Sequence, residues 1–173
     1  IAEEIGMKSE FRNIAWDGIF ASLESGQANV IASCVTITDK RKKAYVFSDP
    51  YYEVHQAVVV AKDSAIKKPE DLKGKKVGVQ IGTTAIEALR KMNVDIDLRT
   101  YDEVGLVFED MRNGRLDVVV CDDPVARYYA SRKEGYKDLM KVAFLTEDVE
   151  YIGFVFSKDN AELAAQVNKG LKA

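Results

Sequence analysis

Two side chains of opposite charge stand at predicted turns between elements. Arg41 lies one helical turn beyond Thr38 in the run DKRKK, and Asp122 follows the apolar run LDVVVC, just ahead of Asp123-Pro124. A guanidinium offers a planar fork that matches a carboxylate bidentately, which a lysine ammonium does not. A fixed carboxylate suits an ammonium group. The turn Gly82-Thr83-Thr84 adds backbone N–H groups and hydroxyls at a predicted helix N-terminus, an arrangement that receives anions. Each feature also has an ordinary reading. Charge runs such as DKRKK are usually solvated. Asp122 can share the capping of the helix that follows, and Gly-Thr is a common cap sequence.

Further polar or soft side chains fall at predicted strand ends: Ser33, Cys34 and Thr36 in one half, Gln80 and Cys121 in the other. Cysteines in such places are more often small buried hydrophobes than reactive groups. His55, inside a predicted strand, reads as structural. Trp16 and Phe11 read as core, although Trp16 precedes Asp17-Gly18 at a predicted strand end. Tyr51 and Tyr52 beside Pro50 read as turn packing. No glycosidase-like carboxylate pair, phosphate-binding loop or dinucleotide fingerprint is present.

The elements that position these residues alternate along the chain. Strands are predicted over 11–16, 29–34, 51–62, the VGVQ run, 97–101, LDVVVC and 150–157. Helices are predicted over 17–25, from Thr38 as N-cap, from Pro69, over AIEALRKM, over 103–112, over VARYYASRK and at the C-terminus. Such alternation favours βαβ units and a largely parallel sheet, with ligands bound beyond the carboxyl ends of the strands. Residues 23–34 (LESGQANVIASC) and 111–122 (MRNGRLDVVVCD) superpose Gly26 on Gly114 and Asn29 on Asp117. Either two βα junctions look alike or the chain holds two similarly built lobes; in the second case 56–64 and 142–156 are paired crossings between them.

Composition narrows the classes. The 173 residues hold 25 Lys and Arg against 28 Asp and Glu, a net charge of −3, one His and two Cys. That is one domain or two small lobes. The acidic balance argues against nucleic acid. A single His and two Cys fall short of a four-ligand zinc site and give no disulfide framework. No apolar window is long enough for a membrane span, and no N-terminal segment reads as a signal peptide. The chain opens on IAEEIGMKSEF, read as the last turns of a helix closed by Gly6, and stops inside NAELAAQVNKGLKA. Both ends read as mid-helix, so the expectation is a piece of a longer chain.

The phrases WDGIFASLESGQANVIASCVTITDKRKKAYVFSDPYY, GKKVGVQIGTTA and GRLDVVVCDDPVARYY together resemble the polar-amino-acid solute-binding proteins, family 3, of ABC importers. The resemblance runs through nearly the whole chain. It implies an α/β, periplasmic-binding-protein type 2 fold: two α/β lobes joined by two crossing hinge strands, with the ligand in the interlobe cleft. Lobe 1 would be 1–58 plus 147–173, incomplete at both ends, and lobe 2 would be 59–146.

By the same resemblance, Arg41 clamps a ligand α-carboxylate, with Thr84, Thr36 and the Gly82-Thr83 turn as further donors. Asp122 takes the α-ammonium, helped by the backbone around Ser33 and Cys34 and by the Thr36 hydroxyl. Trp16 packs on the ligand side chain, while Gln80 and Cys121 read its identity. Members commonly carry Gly or Ser where this chain has Cys34. The implied function is to bind a free L-amino acid, polar or basic, and pass it to a membrane permease. The protein would be a monomer in the periplasm or outside the cell, with a lipid anchor one of the open options. No cofactor, metal, catalysis or nucleic acid is implied. Alternatives are the ligand-binding domain of an amino-acid receptor or sensor, a cyclohexadienyl-dehydratase-like enzyme, and a bridge or metal site between the two cysteines.

Overall fold

The structure is a computed structural model describing residues 1–173. In chain order its elements are α1 (Ile19–Glu24), β1 (Ile31–Thr36), α2 (Asp39–Ala44), β2 (Val46–Phe47), β3 (Tyr52–Val54), β4 (Gln56–Ala61) and β5 (Lys76–Gln80). They continue with α3 (Ala85–Met92), β6 (Asp97–Tyr101), α4 (Val104–Arg112), β7 (Val118–Asp122), α5 (Asp123–Ser131), β8 (Met140–Leu145), β9 (Glu150–Phe156) and α6 (Ala161–Lys172). Short 3-10 turns at Trp16–Gly18, Pro69–Leu72 and Lys158–Asn160 lead into or between them. The chain divides into two compact units, Ile1–Glu53 with Glu150–Ala173, and Val54–Val149.

The first unit is built on β1, β9 and β2 in that order, with β3 also paired to β9. The β1–β9 and β2–β9 pairings are antiparallel. Ile19 and Leu23, four apart on α1, share one face and pack with Ile31, Val35 and Val155. On the other side Ala164 and Val167 of α6 pack on Phe156.

The second unit has a five-stranded sheet in the order β6-β5-β7-β4-β8. Residues alternate faces along a strand, and here both faces are covered. Ala57, Val59 and Val119 pack with Phe108, Met111, Ala126 and Tyr129 of α4 and α5. Val58, Val60, Val118 and Val120 pack with Leu72, Ala85 and Leu89 on the opposite face. That double covering is why β4 and β7 read as unbroken β-branched runs. The Phe108 and Tyr129 rings stack at 3.7 Å.

Several expectations are corrected. Residues 11–15 form no strand, and Phe11 is 87% exposed; the apolar residues there recur without a partner strand. The expected long strand at 51–62 breaks at His55 into β3 and β4, which belong to different sheets. The sheets are not largely parallel: β5 pairs in parallel with β6 and β7, whereas β4 pairs antiparallel with β7 and β8. Within this sheet β4 alone runs against the other strands, while β6–α4–β7 and β7–α5–β8 join strands of one direction through a helix.

Other expectations hold. Thr38 caps α2, its hydroxyl accepting the Arg41 N–H at 3.2 Å. The superposed segments share local geometry: α1 ends at Glu24 and α4 at Arg112, followed by Gly26 at φ +70° and Gly114 at φ +72°. Both glycines take the left-handed conformation that terminates a helix at low strain.

Candidate functional site

In the first unit, β1 delivers Thr36 and the following cap delivers Arg41. Lys40, Lys42 and Lys43 are exposed, whereas Arg41 is half-buried. Its Nη1 donates to the Thr36 carbonyl at 2.8 Å and its guanidinium lies 5.6 Å from the Phe20 ring centre. Arg41 is therefore held by the fold and is not one more solvated cation of the run. Phe20 in turn meets half-buried Trp16 edge-on at 6.5 Å and Tyr45 at 5.0 Å. The buried Thr36 hydroxyl donates to Glu150 Oε2 at 3.0 Å.

Ser33 and Cys34 are both exposed on β1. Cys34 sits at φ +51°, within the register irregularity between Ile31 and Val35. Only glycine takes that conformation freely. Tyr51 packs on Phe154 at 4.7 Å, and burial, reinforced by contact with Cys34, pushes its phenol up to about 12.

In the second unit the ends of β5 and β7 and the start of β4 converge. Gln56 is opposite Asp122 in the β4–β7 register and has no exposed surface. Its Nε2 donates to Asp122 Oδ1 at 2.7 Å and to Thr84 Oγ1 at 3.3 Å. Asp122 occupies the N-cap position of α5, yet its side chain makes no capping bond. Asp123 takes up local contacts instead, accepting from the His55 N–H at 3.2 Å and Arg127 Nε at 2.9 Å. The ordinary reading of Asp122 as a shared cap is thereby set aside.

At the neighbouring turn Gly82 has φ +72°. The Thr83 hydroxyl donates to the Gln80 carbonyl at 2.8 Å and so braces the turn. Thr84 is the N-cap residue of α3, again without a side-chain cap bond. Gln80 Nε2 donates to the Asp102 carbonyl at 2.9 Å. Cys121 packs against the α4–α5 core; burial, then the Asp122 charge, pushes its thiol up, so it stays protonated. Both cysteines are free thiols. No group of three or more His, Cys, Asp or Glu is placed to hold a metal ion.

The fold thus joins Thr36 to Arg41 in one unit and Thr84 to Asp122, through Gln56, in the other. Gln80 and Thr83 sit on the same turn, whereas Ser33 and Cys34 stand exposed. Gln56 and Glu150 were not among the sequence candidates. A polar residue opening the otherwise apolar run QAVVVA was a signal for the first; Glu150, the first residue of β9 after the charged stretch TEDV, carried none. A separate cavity of about 700 Å³, lined among others by Ser64, Asp71, Lys75, Leu116 and Asp117, opens at the starting ends of β5 and β7, opposite to Gln80 and Asp122.

No helix is long and apolar enough to cross a membrane. The L-cystine-binding protein TcyJ of Escherichia coli is 34% identical over 173 residues, an alignment covering 99% of this chain and 64% of that protein. The chain therefore spans just under two thirds of that relative's length. An ancestral arginine-binding protein bound to arginine superposes with a TM-score of 0.89 at 38% identity, covering 99% of this chain and 76% of that one. The ancestral amino acid-binding protein AncCDT-1, a precursor of cyclohexadienyl dehydratase, superposes with a TM-score of 0.88 at 39% identity, covering 99% and 74%. These structures share the periplasmic-binding-protein type 2 fold expected from the sequence. The family model for bacterial extracellular solute-binding proteins, family 3, matches residues 1–173, and the chain belongs to that family.

Proposed function

We propose that the protein carrying this chain binds one free amino acid with a polar or basic side chain. It acts as a monomer in the periplasm or outside the cell and delivers its ligand to the membrane permease of an ABC importer. The observation that carries this reading is the state of Asp122: a carboxylate at a helix N-cap that leaves the cap and is anchored by the buried Gln56. Such a group is poised for an ammonium. Arg41, drawn out of its charge run, is the complementary group for a carboxylate.

A zwitterion answers both charges, since each of its ends is costly to desolvate unless paired. Charge-assisted hydrogen bonds contribute roughly 1.5–3 kcal/mol each, so a handful, less the ordering cost, supports micromolar affinity or better. Gln80, with its amide nitrogen turned to Asp102, offers its carbonyl end, which suits a ligand side chain that donates hydrogen bonds. The relatives named for cystine and arginine support the same ligand class.

A thermal-shift panel of the twenty amino acids on the full-length protein, followed by calorimetry, tests the reading, because a ligand of the folded state raises its stability. Binding by a polar or basic amino acid, abolished in Arg41→Ala and in Asp122→Ala, is expected. Unchanged affinity in either variant would overturn the assignment. The likeness to a dehydratase precursor motivates a second assay: incubation with prephenate or arogenate is expected to yield no product.

A further inference from the structure

The five-stranded sheet of the second unit ends on β6, which pairs with β5 along one side and forms the outer edge along the other. Hydrogen bonds to the β5 side fix which way its peptide groups face. The Asp97 N–H donates to the Lys75 carbonyl at 2.9 Å, and the Ile81 N–H donates to the Tyr101 carbonyl at 2.9 Å. The Gly74 N–H likewise donates to the Asp95 carbonyl at 2.8 Å. Peptide groups alternate sides along a strand, so those of Ile96, Leu98 and Thr100 point to the open edge. Side chains alternate between the two faces of the sheet. Asp97 and Arg99 share one face and form an ion pair at 2.8 Å. Leu98 lies on the other face and is 41% exposed. An open edge of this kind is a template for a further strand.

We infer that the outer edge of β6 is a docking strand for a second copy of the same chain, added antiparallel about a two-fold axis at Leu98. A two-fold pair is self-complementary, so each candidate centre dictates every facing pair. Centres between residues set an edge-facing peptide group opposite one turned to β5, and no ladder forms. Centring on Asp97 or on Arg99 sets like charges directly opposite, which is destabilising. Centring on Thr100 gives neither charge an opposite partner. Centring on Leu98 sets Asp97 opposite the partner's Arg99 and Arg99 opposite the partner's Asp97. It also makes Leu98 with its own copy, and Ile96 with the partner's Thr100, the hydrogen-bonded pairs. The charged pairs then occupy the positions where facing side chains approach most closely. Charges on an open edge ordinarily deter pairing; here their order along the strand selects one register. This goes beyond the function proposed above and does not depend on it. One strand edge is a small contact by the standard of stable interfaces, so the pair is reversible, and the monomer remains the form that carries ligand.

The test is sedimentation equilibrium of the full-length protein at rising concentration. The wild type is expected to show a monomer–dimer equilibrium with Kd on the order of 100 μM, weakened by salt. Asp97→Arg alone and Arg99→Asp alone each set like charges opposite in the pair, and each should weaken it at least about tenfold. An equimolar mixture of these two variants brings opposite charges together again and should pair at least as tightly as the wild type. The double variant Asp97→Arg/Arg99→Asp should do the same by itself. Thr100→Pro removes a donor only from the open edge, leaves the β5 ladder intact, and should weaken the pair. Recovery in the mixture also shows that both charge variants are folded, and thermal melts check the rest. A wild type that stays monomeric to about 1 mM overturns the inference; uptake of the strand peptide Thr-Lys-Val-Glu-Thr by such a monomer would assign the edge to a foreign strand instead. Single variants that pair as tightly as the wild type overturn it too, since the contact then lies elsewhere. Amino-acid binding, read by calorimetry on the same proteins, should be unchanged in every variant, so a failure of the proposed function is seen separately.

Discussion

His55 and Asp123 hold each other by two hydrogen bonds: the Asp123 N–H donates to the His55 carbonyl at 2.9 Å, and the His55 N–H donates to Asp123 Oδ1 at 3.2 Å. The His55 ring adds a contact from Nδ1 to the Thr146 carbonyl at 2.8 Å. The break between β3 and β4 is thereby pinned to the first turn of α5. Asp123→Ala removes the acceptor for a part-buried N–H and is expected to lower stability by about 1–2 kcal/mol. Asp123→Asn keeps an acceptor oxygen and gives up little beyond the exposed pair with Arg127, so its loss should stay under about 1 kcal/mol. Urea unfolding, with midpoints compared at constant slope, distinguishes the two.

Gly78 of β5 faces α4 with no room for a side chain. A Cβ there would lie 2.6 Å from Val107 Cγ1 and closer still to Leu116 Cδ1. Val107 is rigid and fully buried, so the clash is met by moving the helix or the strand. Gly78→Ala is expected to cost about 1–3 kcal/mol by overpacking. Combining it with Val107→Ala should cost less than the sum of the separate losses, because the second change opens the space that the first requires. Thermal melts of the four species measure the coupling.

Cys34 adopts φ +51° on a strand. A left-handed backbone costs a residue with a Cβ about 1–2 kcal/mol, and a β-branched side chain more. The expected order of melting temperatures is therefore Cys34→Gly at or above the wild type, then the wild type, then Cys34→Val. A Cys34→Val protein as stable as Cys34→Gly would contradict the strain argument.

The alkaline limb of stability follows from three groups. Burial, then the Asp122 charge, raises the Cys121 thiol. Burial, then Glu24, raises the Tyr45 phenol to about 12, and burial, then Cys34, raises Tyr51 to about 12. In the unfolded chain a thiol loses its proton near pH ~8.5 and a phenol near pH ~10. Above those values the folded state holds more protons than the unfolded one, so stability falls as pH rises. Below about pH 8 their contribution is fully present. Cys121→Ala should flatten the decline between about pH 8.5 and 10, measured as urea midpoints across that range.

The family phrases and the local punctuation were readable in the amino acids. Thr38, Gly26, Gly114 and Pro69 mark boundaries through one-residue chemistry, and the structure uses each as expected. Arg41 and Asp122 were legible as charges of the right type. What separated them from solvated or capping residues was tertiary: Phe20 beneath the guanidinium, and Gln56 drawing the carboxylate from its cap. A polar residue at the head of QAVVVA was the local sign of Gln56, but its partner was not readable, because only the β4–β7 register brings it opposite Asp122. The break at His55 was missed for the same reason. Residues 51–62 are uniformly strand-like, and only pairing with two different sheets divides them.

The interrupted course of the first unit also dictates an order of events during synthesis. Its β1 finds its partner only in β9, Val35 opposite Gly153, whereas every strand of the second unit pairs within the continuous stretch 54–149. Segments emerge from the ribosome N-terminal first, and contacts distant in sequence form late because their loops must close first. The continuous unit can therefore mature while the earlier-made β1 still waits, edge unsatisfied, for residues not yet translated. In that interval the exposed strand is an aggregation hazard.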